Sequence, residues 1–452
     1  MGKEKNALVV GAGLVGSLWA VFLANRGYKV SVYEQRGDMR LAGYSGGRSI
    51  NLAMSDRGWK AIEKAGIKEK LSAVAIPMYG RMMHNINGEL VFQPYGNENQ
   101  AIYSVSRGGL NQELLNIAAN SENVTLYFDQ KCQRFDPSEK IVWFKGPDGQ
   151  TTKVEADIIF GVDGAFSAIR GSLQRLPRFN YSQQYLDYGY KELCIPANED
   201  GSHRLEKNAL HIWPRGQFML IGLPNTDGSF TCTLFLPFEG AEAAFDQLNS
   251  DKAVLEFFEK YFPDVIPMMP TLLDDFRNNP SAALVTVHCN PWHYGDHVLL
   301  LGDAAHAIVP FYGQGMNAGF EDCTILDELM DVYNEDWGLI LPAFSANRIP
   351  DGDAIAELAL RNFVEMRDLV ADPVFLLRQK IAAHLHNKYN SFLPLYSMVS
   401  FSPIPYSQAL RAAHAQDVLF DRILAIPGIE KNWENNEQID ALFRQWEQEQ
   451  AG

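Results

Sequence analysis

Cysteine is scarce in this chain: five occur in 452 residues (Cys132, Cys194, Cys232, Cys289 and Cys323), widely spaced and with no CxxC pair. An odd, scattered set supports neither a disulfide framework nor a thiolate zinc site, so buried reduced thiols are expected. The His384-x-His386 pair offers no metal site either, because positions i and i+2 of a helix point to different sides. Basic residues are also in short supply, 39 Lys and Arg against 55 Asp and Glu, for a formal charge of −16. With no Lys/Arg cluster to offset that balance, nucleic acid and anionic membrane are not expected as partners. No apolar run reaches the roughly 18 residues of a membrane span, and the stretch 434–452 is polar. No signal-peptide pattern precedes the first strand, so a cytoplasmic protein is expected. Repeats and low-complexity stretches are missing as well. With 46% hydrophobic and 21% charged residues, the chain reads as two closely packed globular domains or one with a large insertion.

What is present is three short segments, far apart, each suited to one dinucleotide. The first is Ala7-Leu8-Val9-Val10-Gly11-Ala12-Gly13-Leu14-Val15-Gly16, an apolar strand entering G-x-G-x-x-G. Gly11 allows the tight turn, Gly13 lets the backbone approach a pyrophosphate, and Gly16 lets the next helix, expected over residues 17–26, pack on the sheet. That helix directs its positive end at the phosphates. A second strand, residues 29–33, ends at Glu34, about 20 residues on, where a carboxylate accepts hydrogen bonds from a ribose 2′-hydroxyl. A 2′-phosphate would be repelled there, although Arg36 just beyond keeps that reading open. The second segment is residues 156–165, containing Asp163-Gly164. The third is residues 298–306, whose four-residue apolar strand ends near Asp303, placing a carboxylate at the carboxyl edge of a buried sheet. A ribityl hydroxyl is a suitable donor to it. The glycine-rich loop 310–317 then opens a helix expected over residues 318–333, whose free N–H groups suit the negative charge of a reduced flavin. A glycine turn in some other βαβ unit explains the first segment alone; the three in this order point to FAD.

The expected fold class is α/β: a Rossmann-like FAD-binding domain with an inserted antiparallel β-sheet substrate domain and a C-terminal helical segment. The FAD-binding part is discontinuous, over residues 1–72, 101–178 and 285–345, and returns through a helix at 110–119 and a strand at 124–128. The β-sheet part covers 73–100 and 179–284, and the helical region 346–452, with helices expected at 353–368, 373–389 and 407–424. Segments 210–214, 218–223 and 230–236 read as strands, with Asp227-Gly228 as a hairpin turn. The two-residue period puts Met219, Ile221 and Leu223 on one face, with Thr233 and Phe235 on the partner strand. That face is expected to be pocket wall, plain sheet core being the alternative for any one residue.

The three segments resemble the single-component flavoprotein aromatic hydroxylases, in which the Asp163-Gly164 segment, with Arg170 behind it, serves both FAD and a transiently bound nicotinamide. The absence of a second glycine fingerprint therefore does not exclude NADPH. Further segments narrow the resemblance to the kynurenine-hydroxylating branch: GGRSINLAMSDRG (46–58), YGRMMH (79–84), FQPYG (92–96), IYSVSR (102–107), VPFYGQGMN (309–317) and RNFVEMRD (361–368). It extends from about residue 5 to about 425. Eukaryotic members of that branch carry a C-terminal membrane anchor, and the chain resembles the bacterial type without one.

By that resemblance Arg81, Tyr95, Asn362 and Tyr396 hold the amino-acid end of L-kynurenine, and Pro310 and Phe311 wall the flavin. The cofactor set becomes Gly11, Gly13, Val15, Gly16, Glu34, Arg36, Ala53, Arg107, Cys132, Asp163, Asp303, Gly315, Met316 and Asn317. An arginine suits a substrate carboxylate because its fork is bidentate and permanently charged. The implied reaction consumes NADPH and O₂ and yields 3-hydroxykynurenine, a step of tryptophan degradation. A flavin C4a-hydroperoxide supplies the electrophilic hydroxyl, so no catalytic side chain and no separate reductase are expected. Alternatives are a hydroxylase of another aromatic acid, a flavin-dependent halogenase or reductase, and a non-catalytic FAD-binding module. The tryptophan-rich lysine motif of halogenases is missing.

Overall fold

The computed structural model describes residues 5–41, 51–95, 100–369 and 372–451. Residues 46–50 and Gly96 of the segments behind the family resemblance lie outside them. The first strand, Asn6–Val10, is parallel to Lys29–Tyr33 on one side and Ile158–Gly161 on the other. Val124–Tyr127, Val298–Leu300 and the short His293–Tyr294 complete a six-stranded sheet. Leu8, Val9, Ile158, Ile159, Phe160 and Val298 to Leu300 are fully buried, which is why these strands read as unbroken apolar runs: a parallel sheet is covered on both faces. Helices Leu14–Asn25, Arg107–Ala119 and Gly315–Val332 pack into the same core. The chain reverses direction about the first strand, and the crevice at the carboxyl ends of its strands is where such sheets take ligands.

A second sheet has seven strands, in the order Ala282–Asn290, Asn180–Ile195, Phe230–Pro237, Met219–Pro224, Ala209–Pro214, Gly80–His84, Leu90–Pro94. All neighbours are antiparallel except Ala209–Pro214 with Gly80–His84. The turn at Asp227-Gly228 forms as the dipeptide predicts, with Gly228 at φ 87° and the Asp227 carboxylate accepting from Ser229 N at 3.0 Å. One face of this sheet buries Leu220, Cys232, Leu234 and Leu236 against Val254, Phe257 and Phe258 of helix Asp251–Tyr261. The other face is left for the cavity described below.

Some bounds move. The first helix starts at Leu14, not at residue 17, because Gly16 lies inside its first turn, where a Cβ would stand 2.0 Å from Gly11 O. The strand before Asp303 stops at Leu300, and Asp303 opens a helical turn, Asp303–His306. Helix Trp337–Val364 runs through Pro342 and Pro350 and then winds into a π-helical turn, Glu365–Leu369. The expected boundary at 345/346 falls inside this helix, and that at 284/285 inside strand Ala282–Asn290. Helices Pro373–Lys388, Leu395–Ser400 and Tyr406–Leu424 follow. Among the described residues no helix is long and apolar enough to cross a membrane, and no His/Cys/Asp/Glu group could hold a metal ion. All five cysteines are unpaired.

Candidate active site

A cavity of about 360 Å³ runs between the two sheets, from Gly13 at the end of the first strand to Arg81, Tyr95 and Tyr396. Among the described residues its lining holds one carboxylate, Asp303, and two guanidiniums, Arg81 and Arg107.

At the glycine-loop end the fold leaves room for a dinucleotide. Gly11 has φ 108°, and a Cβ on it would meet Val162 O at 2.5 Å, whereas one on Gly13 would meet nothing within 4 Å. Gly13 caps its helix with no side-chain hydrogen bond, and the first turn carries no acidic residue. Its N–H groups and positive end therefore face open space lined by Gly13, Leu14 and Val15, a fit for a pyrophosphate. Glu34 is buried, accepting from Ala12 N (2.8 Å), Arg36 N (3.0 Å) and Arg36 Nε (2.8 Å). Burial pushes its carboxyl up, but Arg36 and the N–H donors prevail and hold it below the usual range, so it stays an acceptor. Arg36 is mostly exposed and is held by Glu34. Gln130 N donates to Glu34 O (2.8 Å), which brings strand Lys131–Asp136 and Cys132 beside it; burial pushes the Cys132 thiol up.

The Asp163 side chain does not line the cavity. It accepts from Ser167 Oγ (2.5 Å), Ala168 N (2.6 Å) and Ile169 N (3.3 Å), capping helix Ala168–Leu173, while Gly164 and Ala165 beside it do line the cavity. Arg170, fully buried, donates to Ala165 O (2.5 Å) and Ala304 O (2.9 Å), tying this loop to the Asp303 turn. Asp303 itself is exposed to the cavity, and no described residue donates to its carboxylate. Arg107 opens helix Arg107–Ala119 at the wall. Gly315 and Met316 line the cavity at the N-terminus of helix Gly315–Val332. Asn317 lies behind it, its Oδ1 accepting from Ser55 N (2.9 Å) and its Nδ2 donating to Ala53 O and Gly313 O (both 2.8 Å). It fixes that helix end to the strand bearing Ala53.

At the other end, Arg81 projects from strand Gly80–His84. Its guanidinium lies 5.0 Å from the Tyr396 ring centroid and 5.6 Å from that of Tyr95. The Tyr95 and Tyr396 rings stack at 4.9 Å and 10°, and Tyr312 stacks on Tyr396 at 5.8 Å. Burial works against the Arg81 charge, but the tyrosine hydroxyls outweigh it and the group stays protonated. Burial raises all three tyrosine hydroxyls, which remain donors at neutral pH. Among the described residues no carboxylate pairs with Arg81, and both its Nε and the Tyr95 hydroxyl are buried without a hydrogen-bond partner. Buried donors of this kind suit an anionic acceptor.

Between the two ends the wall is apolar. Met219, Ile221, Leu223, Thr233 and Phe235 all line it, in the register Met219 opposite Phe235 and Ile221 opposite Thr233. Pro310 and Phe311 line it as well; Phe311 packs on Phe235 (4.9 Å) and stacks on Phe363 (4.2 Å). Asn362 differs from expectation. It does not line the cavity, and its Nδ2 donates to Phe311 O at 2.7 Å, so it supports the Phe311 turn. Helix Trp337–Val364 presents that face inward because Leu358, Ala359 and Phe363 share the core with it. Tyr312, Tyr190, Leu210 and Met366 line the cavity too, beyond what the sequence reading assigned. Tyr312 directly follows two wall residues, which is a local signal for it; Leu210 lies opposite Arg81 only through strand pairing.

The model of the FAD binding domain family matches residues 4–357. Kynurenine 3-monooxygenase of Christiangramia forsetii is 49% identical over 453 residues, covering 98% of this chain and 99% of that protein. Its namesake in Flavobacterium psychrophilum is 49% identical over 97% of each chain, and that of Sus scrofa 46% identical over 89% of this chain and 85% of that one. Among solved structures, 2-methyl-3-hydroxypyridine-5-carboxylic acid oxygenase superposes with a TM-score of 0.67 at 20% identity, over 83% of this chain and 96% of that chain. PqsL of Pseudomonas aeruginosa gives 0.64 at 17% identity, over 81% and 97%. These two show the fold.

Proposed function

Since the chain belongs to the kynurenine 3-monooxygenase family, we propose that it hydroxylates L-kynurenine to 3-hydroxykynurenine with NADPH and O₂. One observation carries the substrate end of this reading: Arg81 stands in the cavity wall with no carboxylate to pair with among the described residues, beside a Tyr95 hydroxyl that also lacks a partner among them. A substrate carboxylate satisfies both, bidentate on the guanidinium, with Tyr396 as a further donor. FAD, when bound, supplies the activation of O₂ with electrons from NADPH.

The chain's own residues bind, orient and exclude water. The first-turn N–H groups at Gly13 to Val15 receive the pyrophosphate, Glu34 a ribose hydroxyl, and Asp303 the ribityl chain. The N-terminus at Gly315 and Met316 favours negative charge on the ring system. The apolar wall of Met219, Ile221, Leu223, Phe235, Pro310 and Phe311 holds the aromatic ring and keeps water away. Among the described lining residues none is histidine, and the reaction asks for no base, because the amino group ortho to the reacting carbon already donates electrons to the ring. Asn362 contributes by holding Phe311. A cytoplasmic location, and operation without a separate reductase, nucleic acid or membrane, belong to the same reading.

The test is flavin reduction by NADPH in a stopped-flow instrument, with and without L-kynurenine. Substrate is expected to accelerate it, and 3-hydroxykynurenine to form in step with NADPH oxidation. Equal rates in both traces, or faster reduction with a different aromatic acid from a panel, refute the assignment.

A further inference from the structure

Arg57 takes no part in the site as described, yet it is 3% exposed, and arginines are seldom buried without paired partners. It is the second residue of helix Asp56–Lys64. Among the described residues one partner is ionic, Glu321. The other three are backbone carbonyls from one stretch of chain: Nε donates to Val399 O (2.9 Å), and Nη2 to Met398 O (3.3 Å) and to Ile404 O. The guanidinium also lies 4.0 Å from the ring centroid of Tyr406.

Met398 and Val399 close the short helix Leu395–Ser400, which carries Tyr396. Carbonyls in the last turn of a helix have no intrahelical partner and form its negative end, so a cation is well placed there. A helix of six residues does not hold itself in place, and its N-cap, Pro394, makes no side-chain capping bond. Its orientation therefore draws on its core packing through Met398 and Val399 and on what grips its carboxyl end, where Ser402 Oγ also donates to Met398 O (2.6 Å). The helix bearing Arg57 follows directly on strand Asn51–Met54, where Ala53 lines the cavity and Ser55 N is held by Asn317. One buried guanidinium thus relates the flavin-side wall to the Tyr396 ring, which stacks between Tyr95 and Tyr312 and lies over Arg81.

We propose that Arg57 is a positioning residue of the substrate site: through Met398 and Val399 it sets the Tyr396 ring over Arg81. This rests on the reading of Arg81 and Tyr396 as the carboxylate end of a kynurenine site. Lysine cannot replace it, since a single ammonium does not span three carbonyls and a carboxylate as the fork does.

A double-mutant cycle on the FAD-loaded protein tests it, with L-kynurenine titrated against the flavin absorbance. Arg57→Lys is expected to raise the Kd about tenfold, a size usual for residues coupled in one network. FAD content should be unchanged, and the reduction rate at saturating kynurenine should fall less than about twofold. In a Tyr396→Ala background the same substitution should add less than about twofold, because the ring it positions is gone. An equal penalty in both backgrounds, or loss of FAD, overturns the proposal. If Arg57→Lys does not fold, Tyr406→Leu, which removes the ring beneath the guanidinium, takes its place in the cycle under the same criteria. Wild-type protein that fails to bind kynurenine refutes the proposed function; wild-type binding with additive variants refutes only the role of Arg57.

Discussion

Replacing Arg81 by alanine should separate substrate binding from folding. In the proposed site the guanidinium meets a carboxylate inside the cavity, and Arg107, the other lining cation among the described residues, opens a different element, helix Arg107–Ala119. The variant therefore leaves the substrate's charge unpaired in a largely apolar enclosure. Breaking a buried pair from one side costs about 3–5 kcal/mol, or roughly two to three and a half decades in Kd. Arg81 is only partly buried by its neighbours, and the Tyr95 and Tyr396 hydroxyls remain, so the lower end, about two decades, is expected. Stability should behave differently. Without substrate, Arg81 has a buried Nε lacking a partner, and its removal relieves about 1–3 kcal/mol of desolvation. Its attraction to the Tyr95 and Tyr396 rings, which disappears with it, is worth about 0.5–2 kcal/mol for each ring. These nearly cancel, so the melting temperature should move by a few degrees at most. Titration of kynurenine against the flavin absorbance, with FAD content and melting temperature on the same samples, gives all three readings. Arg81→Lys should recover part of the affinity, and a decarboxylated kynurenine analogue should barely distinguish wild type from Arg81→Ala. Normal kynurenine binding by Arg81→Ala, or loss of FAD with the affinity, refutes the reasoning.

The purified protein should be yellow and release one FAD per chain on denaturation; a colourless preparation that cannot be reconstituted with FAD contradicts the cofactor end of the site. Gly13→Ala should melt like wild-type apoprotein yet bind FAD weakly, since its Cβ meets no protein atom within 4 Å and intrudes only where the phosphates approach; FAD binding at wild-type strength would remove Gly13 from the site. Gly11→Ala should destabilise the apoprotein itself, by about 1–3 kcal/mol from backbone strain at φ 108° and more from the 2.5 Å contact with Val162 O, as urea unfolding of the apoprotein would show. Burial lowers the pKa of His211 from 6.5 to about 4. Between those values the unfolded chain binds the extra proton, so stability should fall as pH drops from about 6.5 towards 4, by about 3 kcal/mol over the window; a His211→Gln variant with the same slope in its melting temperature against pH would rule out this residue as the cause.

The fold around the glycine loop was readable from the chain because it obeys local rules. Gly11, Gly13 and Gly16 are spaced by the mechanics of one turn and one helix, Glu34 by the length of one βα unit, and the runs at 158–160 and 298–300 by burial on both sheet faces. Period-two alternation likewise put Met219, Ile221 and Leu223 on one face, and that face lines the cavity. What had no local signature depended on contacts between distant segments. Asn362 and Tyr396 both read as substrate ligands, yet packing turns the first onto Phe311 O and the second onto Tyr95. Asp163 reads as a cofactor ligand, but folding commits its carboxylate to helix Ala168–Leu173 and leaves Gly164 and Ala165 at the cavity. Helix Trp337–Val364 passes two prolines that mark a break in isolation, because its buried face is held by the cores on either side. Arg57 gives no sign in the sequence of reaching Val399, 342 residues away. Periodicity and spacing report which residues share a surface, whereas the partner of a buried charge or amide is chosen only when that surface closes, by whichever donor or acceptor lies within about 3 Å.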